Sequence, residues 1–141
     1  MEIQVKEILK IDTAQLWVNQ GVLFFKFDYT NQFGKLDIGT VKKFETAVIS
    51  LTQGVPMPFL IDTRNTRGSF TSRAAKLFAH SSYFKKVRIC EAFVVNSINT
   101  ELLINSYKRI YEPVTPFLIF DDIENAIDYC VEAKKRYDAD N

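Results

Sequence analysis

The hydrophobic period of this chain changes at Asp37, and that change restricts the fold more than any other feature. Before it, β-forming residues alternate over Ile3–Leu9, Leu16–Val18 and Val22–Phe27. Asn19-Gln20-Gly21 supplies a turn between the last two segments, so they read as a hairpin. After Asp37 the apolar residues recur at helical spacing. Ile38, Val41, Phe44, Val48 and Leu51 share one face, while Lys42, Lys43, Glu45 and Thr46 lie on others. Gly54 and Pro56-Met57-Pro58 end this helix, and Phe59-Leu60-Ile61 follows as a short apolar run of the kind a doubly covered strand shows.

The alternation then continues to the carboxyl terminus. Thr71 is placed to cap a helix running to about Lys85, with Ala74, Ala75, Phe78 and Phe84 inward and Phe70 as a staple. Ile89–Val95 reads as a strand. Asn99 caps a helix through Leu102, Leu103, Tyr107 and Ile110, which stops before Pro113. Phe117–Phe120 is the last strand. Asp121, with Glu124 three residues on, opens a final helix in which Ile123, Ala126, Ile127, Cys130 and Tyr137 share a face.

The order β-β-β-α-β-α-β-α-β-α specifies an α/β domain with a mixed, mostly parallel sheet and an antiparallel hairpin at its amino-terminal side. With 141 residues and no linker or repeat, the expectation is one domain over 1–141, with 137–141 as a frayed tail. Twelve Phe and six Tyr fill the core with rings and leave little room for an enclosed aqueous cavity.

This element order resembles the STAS fold of the anti-sigma-factor antagonists, and more narrowly the bacterial SpoIIAA-like (STAS/SEC14-like) proteins, mostly of unassigned function. The likeness covers almost the whole chain. It rests on Pro58-Phe59-Leu60-Ile61-Asp62-Thr63-Arg64, on Thr71-Ser72-Arg73-Ala74-Ala75, and on Pro116-Phe117-Leu118-Ile119-Phe120-Asp121-Asp122 leading to Ala126. These are likenesses of fold and loop, which speak for architecture before activity. In antagonists of this type a phosphorylatable serine lies at the start of the helix that follows the corresponding strand. The resemblance therefore implies Ser69, Thr71 and Ser72 as candidates for phosphorylation, although the stretch 62–72 departs from the family's Asp-x-Ser-x-Gly-type arrangement.

Ligands of open α/β sheets use the crevice beyond the carboxyl ends of the strands, and Asp62 to Ser72 lies there. The stretch gathers Arg64, Arg67 and Arg73 near a helix amino terminus, whose free N–H groups favour anions. Arg73 in the first turn runs against the helix dipole, which marks it for attention. Two readings stand. In one, Asp62, Arg64, Arg67 and Arg73 form a site for a small anionic ligand or an acidic partner side chain. In the other, Asp62 caps the loop and pairs with one arginine while the rest are solvated, as structural ion pairs commonly do. Turns and caps select hydroxyl residues as well, so Thr66, Ser69, Thr71 and Ser72 have a structural reading of their own.

The remaining candidates are sparse. Asp121 and Asp122 read as cap and dipole partners ahead of a helix. His80 lies between Ala79 and Ser81 with no carboxylate or cysteine near it in sequence, and Cys90 and Cys130 sit among apolar neighbours as small hydrophobes rather than as a disulfide or metal pair. No dinucleotide, phosphate-loop, nucleophile-elbow or zinc-protease signature occurs. A formal charge of +1 lacks the basic excess of a nucleic-acid binder. The amino terminus carries no positively charged leader with an apolar core, and the apolar runs are shorter than the ~20 residues of a membrane helix.

The expectation is thus a cytoplasmic, non-enzymatic regulatory or protein-interaction domain without cofactor, metal, nucleic-acid partner or membrane insertion. It docks a partner or itself through the loop and helix after the Phe59-Asp62 strand. The alternative is a small-ligand or lipid-binding SEC14-like module.

Overall fold

A computed structural model describes residues 7–11, 14–27, 35–66 and 69–141, with the main chain alone for 35, 36, 69 and 70. The elements run β1 (Leu9–Ile11), β2 (Ala14–Asn19), β3 (Val22–Phe27), β4 (Lys35–Leu36), α1 (Ile38–Thr52), β5 (Met57–Asp62), β6 (Ser69–Phe70), α2 (Ser72–His80), α3 (Ser82–Val87), β7 (Arg88–Val94), α4 (Ile98–Tyr111), β8 (Phe117–Phe120) and α5 (Ile123–Asp140). The main sheet has the order β1-β2-β3-β5-β7-β8. β1, β2 and β3 pair antiparallel, and β3, β5, β7 and β8 pair parallel.

The β2–β3 turn forms where the sequence places it. Gln20 and Gly21 both take positive φ, 54° and 72°, the geometry whose twist matches two-residue hairpins. Asp37 caps α1 by accepting the Thr40 N–H at 2.9 Å. Gln53 and Gly54 close that helix with φ of 52° and 79°. Each parallel strand is added on the same side of its predecessor, so crossovers of one hand carry α1, α2, α3 and α4 to one face. There Phe25, Phe44, Phe59 and Phe84 are fully buried, each contributing roughly 1.5–3 kcal/mol. After β8 no strand constrains the chain, and α5 returns across the opposite face, where Ala126 and Cys130 meet Val22, Phe24, Leu60, Ala92 and Val94. Covered on both sides, β5 buries all six residues.

Several sequence expectations shift. The first strand, expected over Ile3–Leu9, runs from Leu9 to Ile11, and residues 1–6 lie outside the described ones. The single helix expected from Thr71 to Lys85 breaks at Ser81. The Ser81 hydroxyl donates to Glu45 on α1 at 2.5 Å and accepts from the Phe84 N–H at 3.3 Å, starting a new helix. Ser97 rather than Asn99 caps α4, and Asp122 rather than Asp121 caps α5, because these side chains reach the free N–H groups of Thr100 and Glu124. On α4 the core positions are Ile104, Tyr107 and Lys108, while Leu102 and Ile110 face outward. Helix α5 continues through Asp140, into the stretch expected as a frayed tail. The short β4–β6 pair was not legible in the sequence.

Candidate functional site

At the carboxyl ends of the parallel strands, the chain leaves β5 through Asp62. Its neighbour Thr63 ties the exit to β7, with both its N–H and its hydroxyl donating to the Val94 carbonyl, at 2.9 and 2.8 Å. Asp62 is buried. It accepts the Arg64 main-chain N–H at 3.1 Å, Nε at 2.9 Å and Nη2 at 2.7 Å. That fork keeps Arg64 charged, first through the hydrogen bond from its guanidinium to Asp62, with Asp122 at the head of α5 adding in the same sense.

The turn beyond is closed by Thr66, whose hydroxyl donates to the Thr63 carbonyl at 2.7 Å. Asn65 takes a φ of 63°. Its N–H donates to Asn96 Oδ1 at 2.9 Å, and Asn96 Nδ2 donates back to Asn65 Oδ1 at 2.8 Å, so the exits from β5 and β7 are clasped together. Ser97 then caps α4 by accepting the Thr100 N–H at 3.1 Å. Between these exits and the first turns of α4 lies an open cleft of about 580 Å³. Its described lining is three amides (Asn65, Asn96, Asn99), three hydroxyls (Thr66, Ser97, Thr100) and Leu103.

The described residues among those singled out in the sequence fall on several elements. Asp62 and Arg64 meet. Arg67 lies outside the described residues, and Arg73 stands exposed on the first turn of α2. Ser69 belongs to β6, and its side chain is outside the described part. Thr71 caps α2 by accepting the Ala74 N–H at 3.0 Å. Ser72 is exposed and accepts from the Tyr111 hydroxyl at 3.4 Å. His80 is exposed at the end of α2. Cys90 and Cys130 are both buried and free, and burial pushes both thiols up. Among the described residues no cluster of three or more His, Cys, Asp or Glu is placed to hold a metal ion.

Sequence reasoning missed a second polar cluster, at the other end of β7. Arg88, Glu91, Lys108 and Glu112 are all buried. Lys108 Nζ donates to Glu91 and, at 3.2 Å, to Glu112 Oε2, while Arg88 Nη2 lies 3.3 Å from the same oxygen. Arg88 also donates to the Phe78 and Ala79 carbonyls at 3.2 and 3.1 Å, satisfying groups that the end of α2 leaves without helical partners. Burial raises the Glu91 carboxyl, with Arg88 and Lys108 pulling the other way. Glu112 is also pushed up by burial, but the Thr115 hydrogen bonds and the two cations outweigh this and leave it lowered. Closed from solvent and balanced in charge, the cluster joins α2, β7 and α4. Its signal in the sequence was Glu91 inside an apolar run and Lys108 four residues after Ile104, both charged at positions patterned for burial.

A family model described as Domain of unknown function (DUF7793) matches residues 16–134, from β2 into α5. The chain belongs to this family. The DUF7793 match takes in the whole carboxyl-end cleft and the buried charge cluster. No curated protein matches this DUF7793 chain. Among solved structures, it is similar to the crystal structure, at 2.25 Å resolution, of an uncharacterized protein from the DUF3478 family with a SpoIIAA-like fold from Shewanella loihica PV-4. The identity is 19%, the TM-score is 0.58, and the match covers 92% of this chain and 98% of the other. At that identity the likeness is one of fold, so the α/β architecture is SpoIIAA-like while the matching family model is DUF7793 rather than STAS. No helix among the described residues is long and apolar enough to cross a membrane.

Proposed function

We propose that this DUF7793 chain is a non-enzymatic regulatory interaction domain of the SpoIIAA-like kind. It docks an extended segment of a protein partner in the cleft beside the loop that follows the Phe59-Asp62 strand. The observation that carries this reading is the lining of the cleft. Asn99 offers a side-chain donor and acceptor, the pairing a peptide group requires, and Asn65 and Asn96 keep a second N–H and a second lone pair beyond those used in their clasp. Leu103 gives a contact for an apolar side chain. The described lining brings amides, hydroxyls and a leucine together, a set suited to recognition. The Asp62–Arg64 fork holds the loop in shape, and its partly exposed guanidinium adds a rim contact for an acidic residue of the partner.

A second reading is favoured by the volume alone. About 580 Å³ falls within the range of small-molecule sites, yet such sites are mostly apolar. A small ligand here would be polar, in contrast to the lipid of a SEC14-like module.

Selection of a displayed random-peptide library against the wild-type chain tests the proposal. Selected peptides are expected to lose at least about tenfold in affinity, ~1.4 kcal/mol, on Leu103→Asp or Thr66→Arg, with the melting temperature unchanged. Failure to select any peptide, or equal binding by both variants, overturns it. Stabilisation by a polar small molecule in a thermal-shift screen, abolished by Thr66→Arg, would favour the second reading.

A further inference from the structure

We infer that two copies of this chain join edge to edge through β8, extending the sheet across a two-fold axis at Leu118. This surface is separate from the carboxyl-end cleft. β8 is the last strand of the sheet, and among the described residues no strand pairs with its outer side. The carbonyls of Pro116 and Phe120 accept from the N–H groups of Glu91 in β7 and of Val95 just after it, each at 2.9 Å. By the alternation of a strand, the N–H and C=O of Phe117 and Ile119 therefore point outward. The strand is four apolar residues long, with none of the lysines, prolines or bulges that commonly blunt an edge. Pro116 before it and Asp121 and Asp122 after it limit pairing to this stretch.

Outward groups at 117 and 119 select one antiparallel register. Phe117 of each copy exchanges hydrogen bonds with Ile119 of the other, about four in all, and Leu118 faces its own counterpart at the axis. Leu118 is 49% exposed and is the exposed large hydrophobe on this strand. The same register sets Asp121 opposite Thr115 of the second copy, so like charges do not meet.

Helix α4 gives an independent argument, from charge. Tyr107 faces α2, its ring 6.3 Å from that of Phe78, and Lys108 lies over the Phe117 ring of β8 at 5.0 Å. The row Glu101, Asn105, Arg109 continues beyond Lys108, away from α2 and toward the sheet edge, and all three residues are exposed. Asn105 lies about 4.5 Å from Lys108 along the helix axis, which brings it near the height of Leu118. The axis that passes through Leu118 thus passes Asn105. It sets Arg109 of each copy against Glu101 of the other, giving two opposite-charge contacts across an antiparallel helix pair.

Sedimentation equilibrium of the full chain tests this. Wild type is expected to be a dimer. Leu118→Lys, which sets two ammonium groups against each other at the axis, and Arg109→Glu should each weaken association by about tenfold or more, and Glu101→Arg with Arg109→Glu should restore it. Arg109 is exposed, so that variant remains readable even if Leu118→Lys lowers stability. A monomeric wild type, or a dimer indifferent to Leu118→Lys, overturns the inference. A dimer that Leu118→Lys abolishes but Arg109→Glu leaves intact overturns the register. Leu103→Asp, aimed at the cleft, should leave the dimer unchanged.

Discussion

Asn96 and Asn65 hold each other across 31 residues of sequence, one through a side-chain amide at 2.8 Å and the other through its main-chain N–H at 2.9 Å. The clasp fixes the distance between two strand exits and so sets the width of the cleft. Asn65 is also at positive φ, where asparagine is better tolerated than most residues. Asn96→Ala should cost about 1 kcal/mol and speed exchange of the Asn65 amide, read by hydrogen-exchange mass spectrometry or NMR. Unchanged exchange at Asn65 would show that the clasp does not order the loop.

The buried charge cluster should respond strongly to loss of one member and weakly to loss of a pair. Lys108→Met leaves buried Glu91 with Arg88 Nη1, at 3.9 Å, as its remaining ion-pair partner among the described residues, and should cost about 3–5 kcal/mol in denaturant unfolding. Adding Glu91→Gln removes the stranded carboxylate and should recover most of that loss. Additive destabilisation in the double variant would mean that the two residues act separately.

Glu112 gives the cluster a pH dependence of known sign. Its carboxyl is lowered from 4.5, with hydrogen bonds from Thr115 and the charges of Lys108 and Arg88 overcoming burial. A lowered folded-state value adds stability above the unfolded value, and that stability is lost as pH falls through the folded one. Glu112→Gln should therefore be less stable than wild type above pH 4.5, and the gap should narrow as the pH falls below it. Melting curves over this range that stay parallel would contradict the assignment.

Cys90 and Cys130 should be inert in the folded chain. Burial raises both thiols, Cys130 to about 12, so little thiolate forms near neutral pH. A disulfide-exchange reagent should label both only on denaturation. Rapid labelling of the native protein would place one of them at the surface.

What could be read from the residues was whatever depends on neighbours in the chain. The change of period at Asp37, the Gln20-Gly21 turn and the β5, β7 and β8 runs all repeat in the structure, because turn chemistry and one-sided burial act over a few residues. The likeness to SpoIIAA-like proteins carried the architecture further. The helix break at Ser81 was not legible, since its partner Glu45 is 36 residues away. Nor was the pairing of Asn65 with Asn96, or the meeting of Arg88 and Glu91 with Lys108 and Glu112, whose side chains come from two elements.

The candidate site shows the same division. Sequence alone pointed to the exit from β5 and to Asp62 pairing with one of its arginines, because a strand's carboxyl end and its charged neighbours are local facts, while the structure decided that the partner is Arg64. Tertiary structure alone decided that the cleft is walled by Asn96, Asn99 and Leu103 of another crossover, and that among the described strands β8 ends the sheet with Leu118 exposed. Strand order and helix placement are set by how all the apolar faces are buried at once, and no local stretch of residues carries that information.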